Sequence, residues 1–411
     1  MRMLLVPLKD QLTATVIVLV EAGSKYETKS QNGLSHFLEH MCFKGTTKRP
    51  NPMLISGELD GMGAEYNAFT MHEITGYHTK VAAKHLPQAL DLIADIYVDP
   101  VFKTDEIERE KGVIIGEIDM RNDMLPRRAG ELFMELLYGD QPAGWSIAGP
   151  KERIHAFKLD DFTSYRRSHY VAKATTVIVA GKFAPDAIAK MIEKKFSSVL
   201  DGKKATKPRV RDKQDAPQVR IQYKECDQTH IALGYRSLPL NHKSYQALNV
   251  MGAVLGGGMS SRLFQKIRNE LGAGYYAHAG NDSYTDHGMF VAASGVEHAK
   301  TKEVIRAMRE EFRRLRDELV PDEELTRVKE MLAGRMALGL EGSDEIGEFY
   351  GFQEVLKGHI ESPEEIVKKM NAVTAKEIRA LARKIFVNKH ENLALIGPWK
   401  NEKEFLTLLA A

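Results

Sequence analysis

The sequence has few cysteines and almost no net charge, and both shortages exclude classes of protein. Cys42 and Cys226 are the only two cysteines among 411 residues, so a disulfide framework is excluded and a reducing compartment is expected. The 58 basic residues nearly balance the 56 acidic ones, for a formal net charge of +2. Because a nucleic-acid-binding protein needs a dominant basic patch, we expect no nucleic-acid partner.

The sequence also lacks a long apolar run. The opening MRMLLVPLKD reaches the charged residues Lys9 and Asp10 after a short apolar stretch, which does not match the core of a signal peptide. The run TVIVLV, residues 15–20, is too short to span a bilayer and is typical of a buried strand. We therefore expect a soluble, cytoplasmic protein that does not insert into membranes.

The length of the chain and one basic segment predict two domains. Because the chain is too long for a single core, we expect two domains of about 200 residues each. The stretch DGKKATKPRVRDKQDAP, residues 201–217, is basic and has no apolar periodicity, as in an exposed linker. It separates a predicted N-terminal domain, residues 1–200, from a predicted C-terminal domain, residues 218–411.

The two halves show the same succession of elements, which predicts a repeated fold. Each half has an apolar strand, a helix, a glycine-marked turn, two alternating strands and a long amphipathic helix. The alternation in YNAFT and ITGYHTKV suits antiparallel pairing. We predict the α+β class, with two homologous domains that each have an antiparallel sheet and helices packed on one face.

The segment NGLSHFLEHMCFKGT, residues 32–46, predicts an amphipathic helix with an unusual polar face. Asn32 can cap the start of this helix. An apolar stripe of helical spacing follows: Leu34, Phe37, Leu38, Met41 and Cys42. The opposite face holds His36, Glu39 and His40. Because His36 and His40 are one turn apart, both imidazoles can reach one zinc ion, and Glu39 can accept a proton from a metal-activated water.

The order H-x-x-E-H is a metallopeptidase pattern, but alone it is not specific. Residue frequencies produce such a triplet in roughly a few per cent of chains of this length. The alternative is therefore a pair of ordinary packed or exposed histidines. The apolar stripe argues against packing, because it places all three polar side chains on the face away from the core.

The segment TDEIEREKGVIIGEIDM, residues 104–120, is the candidate source of a third zinc ligand. Glu110 and Glu117 are two helical turns apart and project from one face. Glu110 also fits a solvated charge run, whereas Glu117 lies in the apolar run GVIIGEI, where a buried carboxylate requires a metal or an ion pair. Gly112 and Gly116, in the same helix, predict the close approach of another backbone.

The pair HFLEHMCFKGT and EREKGVIIGEI makes the sequence similar to the pitrilysin/insulinase metallopeptidases, the inverzincins. The similarity is to their short two-domain branch, which includes mitochondrial processing peptidase, and it extends to GAEYNAFT and GGGMSSRLFQKIRNELGAGYYAHA. The resemblance implies one zinc ion per chain, bound by His36, His40 and Glu117. It further implies Glu39 as the general base and Glu110 as an acid that supports the site without binding zinc.

The strand-like segment EYNAFTMHEITGYHTKV, residues 65–81, is a second region of the resemblance. The family implies an exposed edge strand here, to which a substrate peptide adds as a further strand. Main-chain hydrogen bonds then hold the peptide in extended form. Asn67, Ala68 and Phe69 are the substrate-binding positions under this interpretation. The alternative is an interior strand without a ligand.

The glycine-rich stretch LGGGMSSRLFQKIRNELGAGYY does not match a phosphate-binding loop, because it lacks the G-K-[ST] ending. The resemblance implies instead that Arg268 and Tyr275 bind the substrate and stabilise its reacting carbonyl. Both side chains can donate hydrogen bonds to developing negative charge. Tyr276 is adjacent, so the choice of tyrosine stays open. An ordinary capping arginine and a packed tyrosine are the alternative.

The motifs together favour a zinc-dependent endopeptidase that hydrolyses short unstructured peptides by means of a metal-activated water. One alternative is a non-catalytic scaffold or partner subunit of the same fold. Another is a peptide-binding module with a structural zinc, for which Glu110 is the candidate fourth ligand. The second half of the chain has no H-x-x-E-H and is expected to be an inactive repeat that completes the substrate chamber.

The resemblance also carries an expectation about assembly. In this family two domains form half of a clamshell, so a single chain is expected to need a partner. We expect a homodimer, the commonest symmetric oligomer, in which Arg268 and Tyr275 of one subunit reach the zinc site of the other. A related second chain in place of the identical one is the alternative.

Overall fold

The computed structural model describes residues 1–410, which form two compact units. Each unit is built from three separate segments. Unit 1 comprises Met1–Asp119, Trp145–Pro208 and Leu338–Ile360. Unit 2 comprises Met120–Gly144, Arg209–Ala337 and the described residues from Glu361 onward. The units therefore differ from the contiguous domains predicted from the sequence, because each half of the chain contributes a segment to the unit formed mainly by the other half.

The strands form one sheet in each unit. They are β1 (Arg2–Pro7), β2 (Thr13–Val20), β3 (Glu65–Thr70), β4 (Thr75–Ala82), β5 (Thr175–Gly181), β6 (Gln218–Tyr223), β7 (Thr229–Ser237), β8 (Gly274–Ser283), β9 (Gly288–Val296) and β10 (Asn392–Gly397). The first five strands make the five-stranded sheet of unit 1, and the last five make that of unit 2.

The helices lie between and after these strands. They are α1 (Leu34–Cys42), α2 (Pro52–Gly61), α3 (Leu86–Val98), α4 (Thr104–Asp123), α5 (Leu125–Tyr138), α6 (Lys151–Ala156), α7 (Leu159–His169), α8 (Pro185–Lys195), α9 (Tyr245–Gly256), α10 (Arg262–Phe264), α11 (Thr301–Asp317), α12 (Asp322–Leu338), α13 (Ser343–Phe352), α14 (Pro363–Ala372), α15 (Ala375–Ile385) and α16 (Glu402–Ala410). Two of them continue as π-helical turns, α10 over Gln265–Glu270 and α13 over Gln353–Lys357. Within residues 1–410, no helix is both long and apolar enough to cross a lipid bilayer.

The two sheets have the same topology. Their strand orders are β1-β5-β2-β4-β3 and β6-β10-β7-β9-β8. The first neighbouring pair in each order is parallel, and the other pairs are antiparallel. The predicted repeat of an α+β fold is confirmed, but each sheet is mixed and not purely antiparallel. The parallel pairs join strands far apart in the sequence, and local alternation does not report such pairing.

Both faces of the unit 1 sheet are covered, which explains why β2 is apolar along its length. Val16, Val18 and Val20 face a core that also contains Leu34 of α1 and Leu90 of α3. The intervening residues of β2 belong to a second apolar cluster on the opposite face. A strand buried on both faces has a continuous apolar sequence and not an alternating one.

α13 covers this second face at close range. A Cβ atom at Gly347 would lie 3.0 Å from Cδ1 of Ile17, and one at Gly351 would lie 3.2 Å from Cδ1 of Ile178. The hydroxyl of Ser343, at the start of α13, lies 2.8 Å from that of Thr15. The predicted packing of helices on one face only therefore needs correction. The helix on the second face comes from the other half of the sequence, so no local pattern could indicate it.

Unit 2 has the same arrangement with the halves exchanged. α5, from the first half of the sequence, packs Leu132 and Leu137 in a cluster with Ile396 of β10. On the other face of the sheet, the rings of Phe290 and Phe312 lie 6.3 Å apart, which joins β9 to α11. Each sheet is thus closed by one helix that the opposite half of the sequence supplies.

Residues 201–217, predicted as an exposed linker, contain no helix or strand, but residues in the middle of this segment make contacts within each unit. The ammonium of Lys207 lies 2.6 Å from Oε1 of Glu73 in unit 1. In unit 2 the backbone N–H of Arg211 donates to Oε1 of Gln141 at 2.8 Å. The basic residues that suggested solvent exposure therefore include ion-pair partners.

Candidate active site

α1 carries the three polar residues that the sequence singled out, and its opposite face is buried. Leu34, Phe37 and Met41 are inaccessible to solvent. Gly33 is the N-cap, with a φ of 99°, and a Cβ there would lie 2.6 Å from the carbonyl oxygen of Ala148. Because only glycine adopts this conformation in so little space, Gly33 fixes where the helix begins.

A carboxylate from outside α1 accepts hydrogen bonds from its first turn. Glu27 accepts from the backbone N–H of Ser35 at 2.7 Å and from that of Gly33 at 3.0 Å. The amide of Asn32 also donates to Glu27, at 3.1 Å. The prediction that Asn32 caps the helix is therefore wrong, because its side chain donates to Glu27 and accepts nothing from α1. Burial raises the pKa of Glu27 to about 7.

α4 places Glu117 next to the two histidines of α1. Oε2 of Glu117 lies 3.4 Å from Nε2 of His36 and 3.5 Å from Nε2 of His40. The two imidazole rings contact each other edge to face, with centroids 4.7 Å apart. Within the part of the chain that the structure describes, these three side chains are the group whose ligand atoms converge as in a metal site.

The spacing of these ligand atoms fits a zinc ion. Zinc–ligand bonds of about 2.1 Å in a tetrahedral arrangement place neighbouring ligand atoms about 3.4 Å apart. The observed separations of 3.4 and 3.5 Å match this value. Two imidazoles and one carboxylate also make up the three-ligand set of catalytic zinc sites, in which a fourth position stays open for water or substrate.

Glu110 contacts His40 from the side of the ring that faces away from Glu117. Oε1 of Glu110 lies 2.9 Å from Nδ1 of His40, and Oε2 lies 2.5 Å from the ammonium of Lys44. Burial alone would raise the pKa of Glu110, but the hydrogen bonds from His40 and Lys44 lower it. An ionised Glu110 therefore orients His40, so that Nε2 is available to bind a metal.

The same carboxylates change the protonation of His40. Burial lowers the pKa of His40, but hydrogen bonds to Glu110 and Glu117 outweigh burial and raise the pKa to about 9. At neutral pH a proton and a metal ion therefore compete for this imidazole, because a ligand histidine must be neutral.

Glu39 lies beside the histidines and contacts the neighbouring sheet. The hydroxyl of Thr70, the last residue of β3, donates to Oε2 of Glu39 at 2.6 Å. Burial raises the pKa of Glu39, although the hydrogen bond from Thr70 opposes this effect. A raised pKa brings a carboxylate closer to neutral pH, where accepting and returning a proton is most efficient.

β3 is the edge strand of the unit 1 sheet, so the alternative of an interior strand is wrong. The side chain of Asn67 accepts a hydrogen bond from the backbone N–H of Ala68 at 2.9 Å. Every second residue of an antiparallel strand directs its main-chain groups away from its partner, so the N–H of Ala68 lies on the open edge. The ring of Phe69 packs 5.8 Å from that of Phe352. The open edge of β3 therefore has main-chain groups available for an added strand.

The structure distinguishes the two adjacent tyrosines of unit 2. Tyr276 is half-buried and hydrogen-bonds Nδ1 of His230 at 3.0 Å. Tyr275 is 81% exposed and stands at a β-bulge in β8, where the register shifts between Gly274 and Tyr276. Bulges re-aim side chains and are frequent beside functional sites. Tyr275 is thus not the packed residue of the alternative interpretation.

Arg268 is exposed and lies in the π-helical turn after α10. Its guanidinium stands 5.0 Å from the ring centroid of Phe264. π-Helical turns are rare in proteins, but many of those that occur lie at functional sites. The side chains of Arg268 and Tyr275 are therefore both exposed to solvent. Their catalytic roles stay predictions.

The glycines of α4 do not serve the predicted purpose. Apart from α4 itself, no atom among the described residues lies within 4 Å of a Cβ built at Gly112 or Gly116. Both glycines are exposed. The prediction of close contact with another backbone is therefore wrong for residues 1–410.

Three residues of the site were not predicted from the sequence. Lys44 stands four residues after His40, and this helical spacing is a signal that could have identified it. Thr70 ends the predicted edge strand, but its approach to Glu39 depends on tertiary packing. Glu27 lies outside α1 and gives no pattern at all, because its hydrogen bonds span a loop.

Comparison with known families agrees with this geometry. A sequence model described as "Insulinase (Peptidase family M16)" matches residues 2–151, which include the zinc-ligand candidates. A second model, "Peptidase M16 inactive domain", matches residues 156–332. The single H-x-x-E-H lies within the first match, and the match to the inactive-domain model lies in the part of the chain that follows.

Relatives and solved structures extend the similarity over nearly the whole chain. The chain is 33% identical over 387 residues to the uncharacterized zinc protease YmxG of Bacillus subtilis, and the aligned region covers 93% of each chain. It is 33% identical over 391 residues to an uncharacterized zinc protease of Rickettsia felis, covering 94% of this chain and 92% of that one. A protease from Helicobacter pylori has the same fold, with a TM-score of 0.89, 22% identity and 96% of both chains covered. The chain therefore belongs to the insulinase family of peptidases, family M16.

Proposed function

We propose that this protein is a zinc-dependent endopeptidase that hydrolyses short, unstructured peptides. The observation that carries the proposal is the convergence of His36, His40 and Glu117 on one point, with Glu39 beside them. This set supplies three ligands and a separate carboxylate that is not needed for binding the metal. The names of the relatives, which are called zinc proteases, support the metal and the reaction class.

The alternative of a structural zinc with Glu110 as fourth ligand has less support. Oε1 of Glu110 is 2.9 Å from Nδ1 of His40, whereas the metal-facing nitrogen is Nε2, on the other side of the ring. Oε2 of Glu110 is engaged by Lys44 at 2.5 Å. Both oxygens of Glu110 are therefore occupied in orienting His40, and the fourth position is left to water or substrate.

In the proposed reaction His36, His40 and Glu117 would hold a zinc ion, which would supply a Lewis acid for the scissile carbonyl and for the attacking water. Glu39 accepts a proton from the attacking water as the new carbon–oxygen bond forms. It then returns this proton to the leaving amine as the carbon–nitrogen bond breaks. Thr70, which donates to Oε2 of Glu39, holds the carboxylate in one orientation.

The open edge of β3 is the proposed binding surface for the peptide. An added strand would bond to outward main-chain groups such as the N–H of Ala68 and would displace the side chain of Asn67 from it. Such main-chain bonding requires an extended peptide and depends little on the amino-acid sequence of that peptide. This favours flexible peptides over folded proteins as substrates.

A homodimer with a shared active site completes the proposal. Arg268 and Tyr275 are exposed in unit 2 and can donate hydrogen bonds to a peptide carbonyl that gains negative charge. We place them at the zinc site of the partner subunit, as the family resemblance implies. The alternative, a non-catalytic scaffold, is disfavoured because ligands, base and this Arg–Tyr pair are retained together.

The proposal is tested with a mixed peptide library analysed by mass spectrometry. The zinc-loaded protein should cut peptides, a chelator should abolish the cuts, and added zinc should restore them. A stably folded protein substrate should be cut far more slowly than its unfolded form. If the zinc-loaded protein cuts no peptide, or if cutting survives full removal of the metal, a metallopeptidase function is rejected.

A further inference from the structure

A cavity in unit 2 has an arginine-rich wall that the proposed peptidase reaction does not use. Its volume is about 380 Å³, within the range of small-molecule sites. Four arginines of α11 line it: Arg306, Arg309, Arg313 and Arg316. Tyr235, Glu391 and Leu408 contribute to the rest of the lining. These residues belong to β7, to the turn before β10 and to α16.

The four arginines form one stripe along α11. Their sequence spacing of three, four and three residues places them on one face of the helix. The stripe extends over about 15 Å, since an α-helix rises about 1.5 Å per residue. Like charges one turn apart repel each other, so such a stripe destabilises the helix unless anions offset it.

Two of the four arginines have carboxylate partners inside the protein. Nε of Arg309 lies 3.2 Å from both carboxylate oxygens of Glu391, which is 1% exposed. The hydroxyl of Tyr235 donates to the same carboxylate at 3.2 Å. Arg313 forms an ion pair with Glu310, the other acidic residue of the lining, at 2.9 Å. These pairs neutralise the charge of Arg309 and Arg313.

The other two arginines form no salt bridge with a carboxylate among residues 1–410. Arg306 makes no hydrogen bond or ion pair there, and Arg316 donates only to the neutral side chain of Asn388, at 3.2 Å. Arg314, on the adjoining face of α11, shows the contrast, because it pairs with both Glu311 and Glu318. The cavity lining thus holds four arginines and two carboxylates, so positive charge is in excess, although Arg316 also interacts electrostatically with Glu391.

We propose that this cavity binds a small compound with two linked phosphates. Guanidinium groups match phosphate oxygens in a two-pronged geometry, and the negative charge of such a compound would offset the excess positive charge of the lining. Two linked phosphates offer oxygens to more of the arginines spread along α11 than a single phosphate does. The ligand class is therefore a diphosphate, either inorganic or as the ester of a larger molecule.

The buried ion pair of Arg309 and Glu391 is a fixed part of the cavity wall. Arg309 also donates to the carbonyl oxygens of Leu408 and Leu409 at 2.6 and 2.7 Å, so α16 is tied to the same point. A guanidinium with this many partners cannot leave to bind a ligand. The arginines at the two ends are half-exposed or exposed and remain available, which separates the binding groups from the structural ones.

The proposal is tested by calorimetric titration of the full-length protein with pyrophosphate. Saturable binding of one equivalent is expected, and Arg306→Ala and Arg316→Ala should each raise the Kd about tenfold or more. Arg327→Ala is the matched control, because Arg327 is an exposed arginine of α12 in the same unit, and it should change the Kd by less than about twofold. Circular dichroism verifies that each variant is folded.

Two further experiments distinguish a specific site from non-specific electrostatic attraction and identify the chemical source of the phosphate. The double variant Arg306→Lys/Arg316→Lys keeps the charge but loses the two-pronged geometry, so its affinity should fall between those of the wild type and the alanine variants. ADP binding as tightly as pyrophosphate indicates an ester ligand, and pyrophosphate binding alone indicates an inorganic one. No saturable binding by the wild type, an unchanged Kd in the alanine variants, or full affinity in the double lysine variant would overturn the proposal.

Discussion

The carboxylate of Glu110 lies 2.9 Å from Nδ1 of His40, the ring nitrogen opposite the one that faces Glu117. This contact distinguishes His40 from His36, whose Nδ1 is buried without a hydrogen-bond partner among residues 1–410. A hydrogen bond at Nδ1 therefore orients the ring of His40 and has no counterpart at His36. Lys44 extends the chain of contacts, because its ammonium lies 2.5 Å from the second oxygen of Glu110.

Removing Lys44 should therefore weaken zinc binding without removing a ligand. Lys44→Met keeps the aliphatic stem but leaves Glu110 with one partner fewer, and we expect the zinc affinity to fall about 10- to 100-fold. Competition with a chromophoric chelator measures this directly. Lys84→Met, at an exposed lysine of unit 1, is the control and should bind zinc like the wild type. Equal affinities for both variants would show that Lys44 does not support the site.

The variant Glu39→Gln should separate metal binding from turnover. The amide has the shape of the carboxylate but cannot accept the proton, so kcat should fall about 10²- to 10⁴-fold. Zinc content, measured by atomic absorption, should stay at one ion per chain because no ligand is lost. Peptide cleavage at the wild-type rate would remove Glu39 from the role of general base.

A proline on the open edge of β3 should weaken peptide binding selectively. Ala68→Pro deletes the outward N–H and costs no hydrogen bond to β4, a position where a strand tolerates proline. We expect KM to rise about fivefold to tenfold, with a small change in kcat. The Tm should change little, and calorimetry verifies this. An unchanged KM at an unchanged Tm would mean that the substrate does not add to this edge.

The shared active site can be tested by mixing two inactive variants. Glu39→Gln and Tyr275→Phe damage opposite parts of the proposed site, so a mixed dimer contains one intact site and one doubly damaged site. After free exchange of subunits, about a quarter of the wild-type activity should return. Mixing Glu39→Gln with His36→Ala is the control, because both changes affect the same part and no intact site can form. If the first mixture regains no activity despite proven exchange, each site is built from a single chain.

Glu27 should make the stability of the protein depend on pH. Burial raises its pKa from 4.5 to about 7, so folding favours the protonated form. The stabilisation is fully present below pH 4.5 and is lost as the pH rises through about 7, a change of about 3 kcal/mol for a shift of this size. Urea unfolding at several pH values measures the free energy of unfolding for the wild type and for Glu27→Gln. The difference between them should change over this interval, and a constant difference would contradict the assignment.

The convergence of His36, His40 and Glu117 could be predicted from the sequence because the spacing of the two histidines is local; their role as zinc ligands stays a prediction. His36 and His40 share one helix, and Glu110 and Glu117 lie in a second helix. The expectation that Glu117 is the buried carboxylate and Glu110 the solvated one was wrong, because Glu110 is buried and Glu117 is half-buried. The choice of Glu117 over Glu110 needed the family resemblance, since both project from the same face. Spacing alone could not show that Glu110 would contact the far side of His40.

The remaining features depend on contacts between distant parts of the chain. The parallel pairing of β1 with β5 joins Arg2 to Thr176, and no alternation pattern records such a partner. Likewise, the apolar face of β2 that contains Ile17 gives no indication that Gly347 will lie against it. The bulge at Tyr275 shifts the strand register by one residue. Sequence patterns do not locate strand pairing to within one residue, so the bulge could not be predicted.

The contribution of α13 to unit 1 also constrains the order of events during synthesis. When residues 1–208 have left the ribosome, α13 has not yet been made. The sheet face that contains Ile17 of β2 and Ile178 of β5 is therefore still uncovered. Unit 1 cannot close until the segment from Leu338 to Ile360 has emerged, by which time most of unit 2 is also present. The histidines are therefore made early, but the unit that holds them is finished only after synthesis has passed Ile360.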